Sequence, residues 1–219
     1  MIDLKQGDCL EVMKEIPNRS IDISFTSPPY NRKRNDKYAN YDDTIENYFK
    51  FLCDFTDELL RVTKKYTIIN LQKNYYNKYE VFKYIGKYAN NIVEIIVWGK
   101  TNPMPASGFN ITNAYEFFIV LGDKSLKSNT TYTKNLIMSA VNSDTTLKEH
   151  KAVMKQDICD WFIEKFTNEN DIVLDCFMGT GTTGVSCCKF NRNFIGIELN
   201  KNYLEIAKKR IKNAQNSNV

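Results

Sequence analysis

The chain contains the stretch Ile172-Val173-Leu174-Asp175-Cys176-Phe177-Met178-Gly179-Thr180-Gly181-Thr182-Thr183-Gly184. It begins with an apolar run that is typical of a buried strand and ends in three glycines, where a helical pattern begins. A strand, a glycine turn and a helix start form the arrangement by which a backbone approaches a nucleotide-like ligand. A tight turn that only packs the helix against the strand has the same pattern, so this stretch alone leaves both alternatives open.

A second informative stretch lies near the start of the sequence, where the apolar run Ile21-Asp22-Ile23-Ser24-Phe25 leads into Thr26-Ser27-Pro28-Pro29-Tyr30. The run predicts a short strand, and the two prolines fix the backbone that follows it. Open α/β sheets hold their ligands at the carboxyl ends of their strands. We therefore expect Ser27, Pro28, Pro29 and Tyr30 to form a rigid catalytic tip, with a polyproline-like turn or a short ligand for another protein as the alternatives.

Short apolar runs alternate with helical patterns along the chain, which is typical of a doubly wound, mostly parallel sheet. The predicted strands are Ile2–Lys5, Ile21–Phe25, Thr67–Leu71, Ile92–Trp98, Tyr115–Leu121, Ile172–Leu174 and Phe194–Ile197. The predicted helices are Cys9–Glu15, Ile45–Val62, Asn77–Tyr88, Asp157–Phe166, Thr182–Lys189 and Lys201–Ile211. A length of 219 residues suits one domain. We predict a single Rossmann-like α/β domain over residues 1–219, interrupted by a polar segment at about 123–149 that is too long for a plain connection.

Glu198 ends the next predicted strand after the glycine turn, 14 residues past Gly184. A carboxylate at this place can accept both hydroxyls of a ribose. The interval is shorter than the ~20 residues typical of a nicotinamide-binding fold, which suits a nucleoside without a pyrophosphate. The sulfonium cation of S-adenosylmethionine fits such a site, because it needs close backbone approach and an acidic environment instead of a phosphate cradle.

The catalytic tip offers chemistry suited to an exocyclic amine of a nucleobase. The lone pair of such an amine is conjugated into the ring, so the nitrogen must become more tetrahedral before it attacks a methyl group. Ser27 Oγ and the Pro28 carbonyl, as two fixed acceptors for its N–H groups, favour that change by electrostatic preorganisation. Tyr30 offers a ring face for stacking of the base, which must be flipped out because a base inside a duplex is out of reach.

A basic run, Arg32-Lys33-Arg34-Asn35-Asp36-Lys37, follows the catalytic tip directly. The net charge of +4 is compatible with a polyanionic partner but does not demand one. Most runs of charge are solvated surface, whereas the position of this one beside the tip favours contact with phosphates. We expect the phosphate contacts to come from Arg32, Lys33, Arg34 and Lys37.

The two motifs, in this order, resemble those of the permuted (β-class) S-adenosylmethionine-dependent DNA amino-methyltransferases, and the resemblance covers residues 2–211. It implies a circularly permuted, Rossmann-like sheet of the class I methyltransferase type. In that family the glycine turn and the acid hold the cofactor. The positions that match here are Asp175, Phe177, Gly179, Gly181, Thr182, Thr183 and Glu198. Cys176 stands where the family usually has proline, a mild change at a turn.

The resemblance also assigns residues outside the two motifs. The permuted order places Asp8 at the adenine of the cofactor, although an aspartate there is equally suited to cap the helix Cys9–Glu15. The stretch Val97–Pro105, followed by Asn113–Phe117, resembles a family block thought to line the target-base pocket. Asn102 and Pro103 are therefore candidates for contact with the DNA base.

The function implied by the resemblance is site-specific methylation of DNA at N4 of cytosine or N6 of adenine. The leading serine of the tip leans toward cytosine N4 in this family. An RNA methyltransferase with the same tip is an alternative, as is an inactive DNA-binding subunit of a methyltransferase pair. Residues 123–149 lie where such enzymes carry a target-recognition segment. Double-stranded DNA is the expected partner, and a homodimer and a restriction endonuclease encoded nearby are further candidates.

Composition places the chain among ordinary soluble proteins, with 42% hydrophobic and 26% charged residues. No apolar run approaches the ~20 residues that span a bilayer, and the first residues lack the pattern of a signal peptide. Six cysteines without a Cys-x-x-Cys pair, together with one histidine, disfavour a zinc site. We therefore expect no metal and no membrane partner, and reduced thiols in a cytoplasmic protein.

Overall fold

The computed structural model describes residues 1–32, 43–103, 111–123, 133–141 and 153–217. Its strands are β1 (Ile2–Gln6), β2 (Ile21–Thr26), β3 (Thr63–Leu71), β4 (Ile92–Lys100), β5 (Tyr115–Gly122), β6 (Leu136–Ser139), β7 (Ile172–Asp175) and β8 (Asn193–Glu198). Its helices are α1 (Cys9–Met13), α2 (Tyr48–Val62), α3 (Lys78–Lys87), α4 (Gln156–Phe166), α5 (Thr182–Lys189) and α6 (Lys201–Ser217). None of these helices is long and apolar enough to cross a membrane.

The described strands form one sheet in the order β1-β8-β7-β2-β3-β5-β4-β6. The first five strands in this order run parallel to one another, and β4 and β6 are parallel neighbours. Strand β5 runs antiparallel to both β3 and β4. The prediction of a single, mostly parallel α/β sheet is confirmed.

Two apolar layers cover the two faces of the sheet, as a parallel sheet requires. Residues of α1, α2 and α3 pack on one face and residues of α4, α5 and α6 on the other. Successive residues of a strand point to opposite faces. In β3, Ile69 and Leu71 accordingly enter the first core, whereas Tyr66 and Ile68 enter the second.

The order of connections reverses between β7 and β2, which are neighbours near the middle of the sheet. From β7 the chain continues through α5 to β8 on one side, and from β2 it continues through α2 to β3 on the other. A crevice at such a reversal is where open α/β sheets bind ligands. Asp175 and Thr26 end these two strands and therefore lie at that crevice.

The first strand lies at the sheet edge beside the strand that ends in Glu198. The paired residues run from Ile2 and Phe194 to Gln6 and Glu198, and the Gly7 N–H donates to the Glu198 carbonyl at 3.1 Å. This register brings the start of α1 next to the end of β8. It is the neighbourhood that the permuted order predicts.

Three features of the sheet differ from the sequence-based expectation. Strand β6 lies inside the segment 123–149, where no strand was predicted. Strand β5 is antiparallel, a direction that its own residues do not encode. Strand β3 begins four residues earlier than predicted, because its first residue Thr63 already pairs with Ile21 of β2.

Candidate active site

The catalytic tip is held in place through its backbone carbonyls. The Tyr48 hydroxyl, at the start of α2, donates to the Pro29 carbonyl at 2.9 Å. The side-chain amides of Asn74 and Asn77 both donate to the Tyr30 carbonyl, at 2.8 and 2.7 Å. These donors come from the segments that follow β2 and β3, so the tip is anchored to two strands at once.

A chain of hydrogen bonds links the tip to the strands beneath it. Ser27 Oγ lies 3.1 Å from the Tyr30 hydroxyl, which donates to Glu116 Oε2 at 3.1 Å. Glu116, near the start of β5, also accepts from the Asn70 amide at 3.0 Å and pairs with the Lys100 ammonium. Burial and the nearby Glu116 charge raise the pKa of Tyr30 well above its usual value, so the phenol stays protonated and acts as a donor.

Asp175 joins the catalytic tip to the glycine turn. Its Oδ1 accepts from the Thr26 hydroxyl at 2.7 Å and from the Phe177 N–H at 3.1 Å, and its Oδ2 accepts from the Thr183 hydroxyl at 2.7 Å. Burial outweighs these bonds and raises the pKa of Asp175 from 3.8 to about 6, with a smaller contribution from the charge of Glu198. Both oxygens are thus engaged within the protein, which makes Asp175 a brace between the two motifs.

Glu198 is a half-buried carboxylate at the end of β8 that faces backbone donors. Its Oε2 accepts from the Gly179 N–H at 2.8 Å and its Oε1 from the Asn200 N–H at 2.7 Å. Burial raises the pKa of Glu198, while these backbone bonds lower it. No Lys or Arg of the described residues contributes to the pKa shift of this acid, so a bound ligand with hydroxyl donors or a positive charge would find a carboxylate without a cationic partner there.

The other predicted cofactor residues have structural partners of their own. Asp8 caps α1, with Oδ1 accepting from the Leu10 N–H at 2.9 Å, so the capping alternative is confirmed. The Phe177 ring packs on α2, 5.1 Å from the ring centroid of Phe55. Thr182 is buried, and its hydroxyl lies 3.3 Å from Arg210 Nη1.

The glycine turn needs its glycines for two reasons. Gly179 and Gly181 have φ values of 56° and 84°, a left-handed conformation that side chains resist. A Cβ on Gly181 would lie 2.9 Å from the Cβ of Ala207, and one on Gly184 would clash with Ile211, both on α6. At these two positions the glycine is required by the packing of α6, a partner that the sequence analysis did not foresee. Their contact with a cofactor stays a prediction.

The family described as DNA methylase matches residues 21–209. The chain belongs to this DNA methylase family. Among curated proteins, the methylase is similar to the type II methyltransferase M.HinfI of Haemophilus influenzae, with 27% identity over 94% of this chain and 67% of the relative. It is also similar to the type II methyltransferase M2.LlaDCHI of Lactococcus lactis subsp. cremoris, with 28% identity over 95% of this chain and 88% of the relative.

Solved structures agree with this assignment. The methylase superposes on the cytosine-N4-specific PvuII DNA methyltransferase with a TM-score of 0.79, covering 98% of this chain and 91% of the other, at 18% identity. At that identity the match concerns the fold alone. It superposes on the M1.HpyAVI–SAM complex with a TM-score of 0.70 and 27% identity, covering 96% and 99% of the two chains.

The predicted DNA-binding residues of the methylase fall in three places. The Arg32 guanidinium lies over the Tyr30 ring, 5.5 Å from its centroid, and donates to Gln72 Oε1. Asn102 accepts from the Val141 N–H at 2.7 Å and so ties the end of β4 to the segment after β6. Its neighbour Pro103 is partly exposed. Lys33, Arg34 and Lys37 lie outside the described residues.

Several residues of the methylase site escaped the sequence analysis. Asn74 was predicted only as part of a connection and Asn77 only as the start of a helix, whereas both bind the Tyr30 carbonyl. The signal that could have found them is the pair of asparagines shortly after a strand end. The same loop presents two exposed tyrosines, Tyr75 and Tyr76, beside the tip. Arg210, on α6, donates to the Thr180 carbonyl at 2.6 Å and holds the glycine turn from a distance of 30 residues along the chain.

All six cysteines of the methylase are buried and free of disulfide bonds. Among the described residues, no group of three or more His, Cys, Asp or Glu side chains could hold a metal ion.

Proposed function

We propose that this methylase transfers the methyl group of S-adenosylmethionine to the exocyclic amine of a flipped DNA base, with N4 of cytosine favoured and N6 of adenine as the alternative. One observation carries the proposal. The Thr26 hydroxyl, directly before the catalytic tip, donates to Asp175, directly before the glycine turn, at 2.7 Å. The acceptor for the amine and the turn for the cofactor therefore lie on adjacent strands at one crevice.

The acidic residues around the glycine turn fit the cofactor. Glu198 has no cationic partner among the described residues, and Asp8 uses only Oδ1 for its helix cap. Ribose hydroxyls, an adenine amino group and a sulfonium cation all favour acceptors and negative charge. Glu198 would hold the ribose and Asp8 the adenine amino group, and S-adenosylmethionine supplies an electrophilic methyl group when bound.

The catalytic tip acts on the target amine by hydrogen bonding. The Pro28 carbonyl accepts no hydrogen bond from the described residues, whereas the carbonyls of Pro29 and Tyr30 are both engaged. Ser27 Oγ and the Pro28 carbonyl are thus the two acceptors left for the N–H groups. They would pull the nitrogen toward a tetrahedral geometry, in which its lone pair is available for in-line attack on the methyl group. As the N–C bond forms, the S–C bond would break, the sulfur would leave as a neutral thioether, and the surplus proton of the amine would pass to solvent.

Binding of DNA by the methylase needs a base outside the helix. Arg32 covers one face of the Tyr30 ring, so a stacked base would use the other face. Lys33, Arg34 and Lys37 would contact phosphates, and Asn102 and Pro103 would approach the base from the end of β4. Residues 123–149 would serve as a small target-recognition segment within a single domain, 1–219. Strand β6 fastens part of that segment to the sheet edge.

A homodimer and a restriction endonuclease encoded nearby stay proposals, as does a cytoplasmic location. Buried thiols without disulfides suit a reducing compartment. A short recognition segment leaves room for few base contacts, which favours either a short site or recognition shared with another subunit.

Methyl transfer to plasmid DNA tests the function and separates the alternatives. The purified protein is incubated with unmethylated DNA and S-adenosylmethionine, and the digested nucleosides are identified by mass spectrometry. We expect N4-methylcytosine, whereas N6-methyladenine would select the alternative base. Methylation of RNA but not DNA, or absence of any product from correctly folded protein that binds DNA, would contradict the proposal. Methyl-sensitive sequencing of DNA from a host that expresses the chain would then give the recognition site.

A further inference from the structure

Glu116 is a buried carboxylate directly below the catalytic tip, and the proposed function gives it no role. It is 6% exposed and lies near the start of β5, the antiparallel strand next to β3. Three side chains converge on it: the Tyr30 hydroxyl at 3.1 Å, the Asn70 amide at 3.0 Å and the Lys100 ammonium. Because a carboxylate only accepts hydrogen bonds, each of these three groups must point a hydrogen toward Glu116.

The direction of the hydroxyl hydrogens follows from Glu116. A carboxylate paired with an ammonium group offers acceptors only, so the Tyr30 hydroxyl must donate to it. Tyr30 has a single hydroxyl hydrogen, which is now committed. The contact of 3.1 Å between Ser27 Oγ and the Tyr30 oxygen then requires Ser27 to be the donor. With its own hydrogen turned toward Tyr30, Ser27 Oγ has only lone pairs left for a third group.

That polarity matters because a free serine hydroxyl can bind an amine in two ways. It can accept from an N–H group, which promotes attack by the nitrogen. It can instead donate its hydrogen to the nitrogen, which occupies the electron pair needed for attack. The contacts of Glu116 and Tyr30 remove the second arrangement.

We propose that Glu116 is a positioning residue that acts through Tyr30 to turn the Ser27 hydroxyl hydrogen away from the target amine. This inference rests on the proposed function, since it concerns the same amine. Glu116 itself touches neither the base nor the cofactor. Asn70 and Lys100 hold the Glu116 carboxylate in place. Asn70 donates its amide hydrogen to the same oxygen as Tyr30, and Lys100 binds the other oxygen.

The variant Glu116→Gln tests this polarity with almost no change in shape. Lys100 retains the amide oxygen, which leaves the amide nitrogen facing Tyr30 and Asn70. The Asn70 amide can turn over to accept from this nitrogen, because its oxygen has no hydrogen-bond partner among the described residues. That nitrogen donates to the Tyr30 oxygen, so Tyr30 turns its hydrogen toward Ser27 and the direction of the chain is reversed. We expect the single-turnover rate of methyl transfer to fall by on the order of 10²-fold, as for loss of one preorganised hydrogen-bonding group. Affinities for DNA and S-adenosylmethionine should stay unchanged.

A second variant, Tyr30→Phe, interrupts the same chain and keeps the ring. It should lower the single-turnover rate by a similar factor without changing either affinity, and in this background Glu116→Gln should add no further loss. Tyr79→Phe, the same loss of a hydroxyl on an exposed part of α3, is the matched control and should behave as wild type. The Tyr30→Phe arm stands even if Glu116→Gln does not fold.

The outcomes separate this inference from the proposed function. A wild-type rate in Tyr30→Phe, or an equal loss from Glu116→Gln with and without the Tyr30 hydroxyl, would mean that Glu116 only pairs with Lys100 in the core. Either result would overturn the positioning role and leave methyl transfer intact. Absence of methyl transfer by the wild-type protein would instead overturn the proposed function itself.

Discussion

At the scale of single residues, the proposed function gives Ser27 the most direct chemical role. Ser27→Ala removes one of the two acceptors for the amine and leaves the Pro28 carbonyl in place. We expect turnover to fall by on the order of 10²-fold or more, with nearly unchanged affinity for S-adenosylmethionine. Calorimetry of cofactor binding together with steady-state rates checks this. The control is Ser20→Ala, at a half-buried serine before β2 whose hydroxyl donates to the Pro17 carbonyl. If cofactor affinity is lost together with activity, Ser27 belongs to the cofactor site and its assignment to the target base is wrong.

In contrast to Ser27, Glu198 should affect binding of the cofactor. Glu198→Ala removes the carboxylate that would accept the ribose hydroxyls, and it also leaves the Gly179 and Asn200 N–H groups without their acceptor. We expect weaker binding of S-adenosylmethionine, while binding of DNA is retained. Isothermal titration with the cofactor and a DNA-binding assay measure the two effects. Glu205→Ala, at an exposed acid of α6, is the control, and normal cofactor affinity in Glu198→Ala would contradict the assignment.

The buried carboxyl group of Asp175 should make the free energy of unfolding depend on pH. Burial raises its pKa from 3.8 to about 6, so between these values the native protein binds more protons than the unfolded chain. Stability must therefore fall as the pH rises through this window, which is the reverse of the usual behaviour of a salt-bridged aspartate. A rise of this size corresponds to roughly 3 kcal/mol.

The near-isosteric variant Asp175→Asn isolates this contribution. The amide does not titrate, and its oxygen can still accept from the Phe177 N–H. We expect the free energy of unfolding of the wild type, relative to Asp175→Asn, to decrease by up to about 3 kcal/mol from pH 4 to pH 7. Urea unfolding of both proteins across that range gives the difference directly. A constant difference would mean that Asp175 has an ordinary pKa in the native state.

Residues with local signals were predictable from sequence and residues with distant partners were not. Ser27 and Glu198 could be named as candidates, and correctly placed at strand ends, because each follows an apolar run and lies in a short motif. The family block Asn113–Phe117 places Glu116 near the expected base pocket, but its contacts with Tyr30, 86 positions away, and Asn70, 46 positions away, have no signal in the sequence. The register of β5 against β3 brings these side chains together, and register is set by the whole sheet.

At the scale of elements, the glycine turn and α6 are fitted to each other. Gly184→Ala would push a Cβ against Ile211 and to 2.8 Å from the Phe194 ring, so we expect a loss of about 1–3 kcal/mol in the free energy of unfolding from overpacking. Ile211→Ala makes room for the added methyl group, and the double variant should lose less than the sum of the two single losses. Denaturant unfolding measures all three proteins.

Gly86 provides the matched control for that experiment. It lies in α3, and a Cβ built on it meets nothing within 4 Å. Gly86→Ala should therefore stabilise the protein by up to about 1 kcal/mol, through helix propensity alone. Strictly additive losses for Gly184→Ala and Ile211→Ala would mean that the two residues are not in contact.

The elements themselves were mostly readable from apolar periodicity, with exceptions that have physical causes. The four residues of β6 alternate between exposed and half-buried positions at the sheet edge, which leaves too weak an apolar signal. The antiparallel direction of β5 depends on its pairing with β3 and β4 and has no counterpart in its own composition. The glycine turn was predicted correctly as a turn, whereas packing against α6 became visible only once the two elements were placed.

At the scale of the whole molecule, the carboxyl edge of the sheet has an acidic region and a basic run next to each other. Acids lie around the glycine turn, where a cation and ribose hydroxyls are expected, and the basic run Arg32–Lys37 follows the catalytic tip, where phosphates are expected. The Thr26 and Asp175 hydrogen bond joins the two regions. Binding of a polyanion should therefore depend on the basic run and be insensitive to changes at the glycine turn.

Salt dependence of DNA binding tests that arrangement. Replacing Arg32, Lys33, Arg34 and Lys37 with glutamine should weaken binding to every duplex sequence alike, because phosphate contacts carry little sequence information. The slope of log affinity against log salt should become shallower by about 0.9 for each phosphate that is no longer neutralised, up to about 3.6 for all four substitutions. Because the Arg32 guanidinium is already bonded to Gln72, the triple variant that keeps Arg32 should account for most of the change, up to about 2.7. A salt series on the wild type and both variants measures the slopes, and an unchanged slope would remove the basic run from the DNA interface.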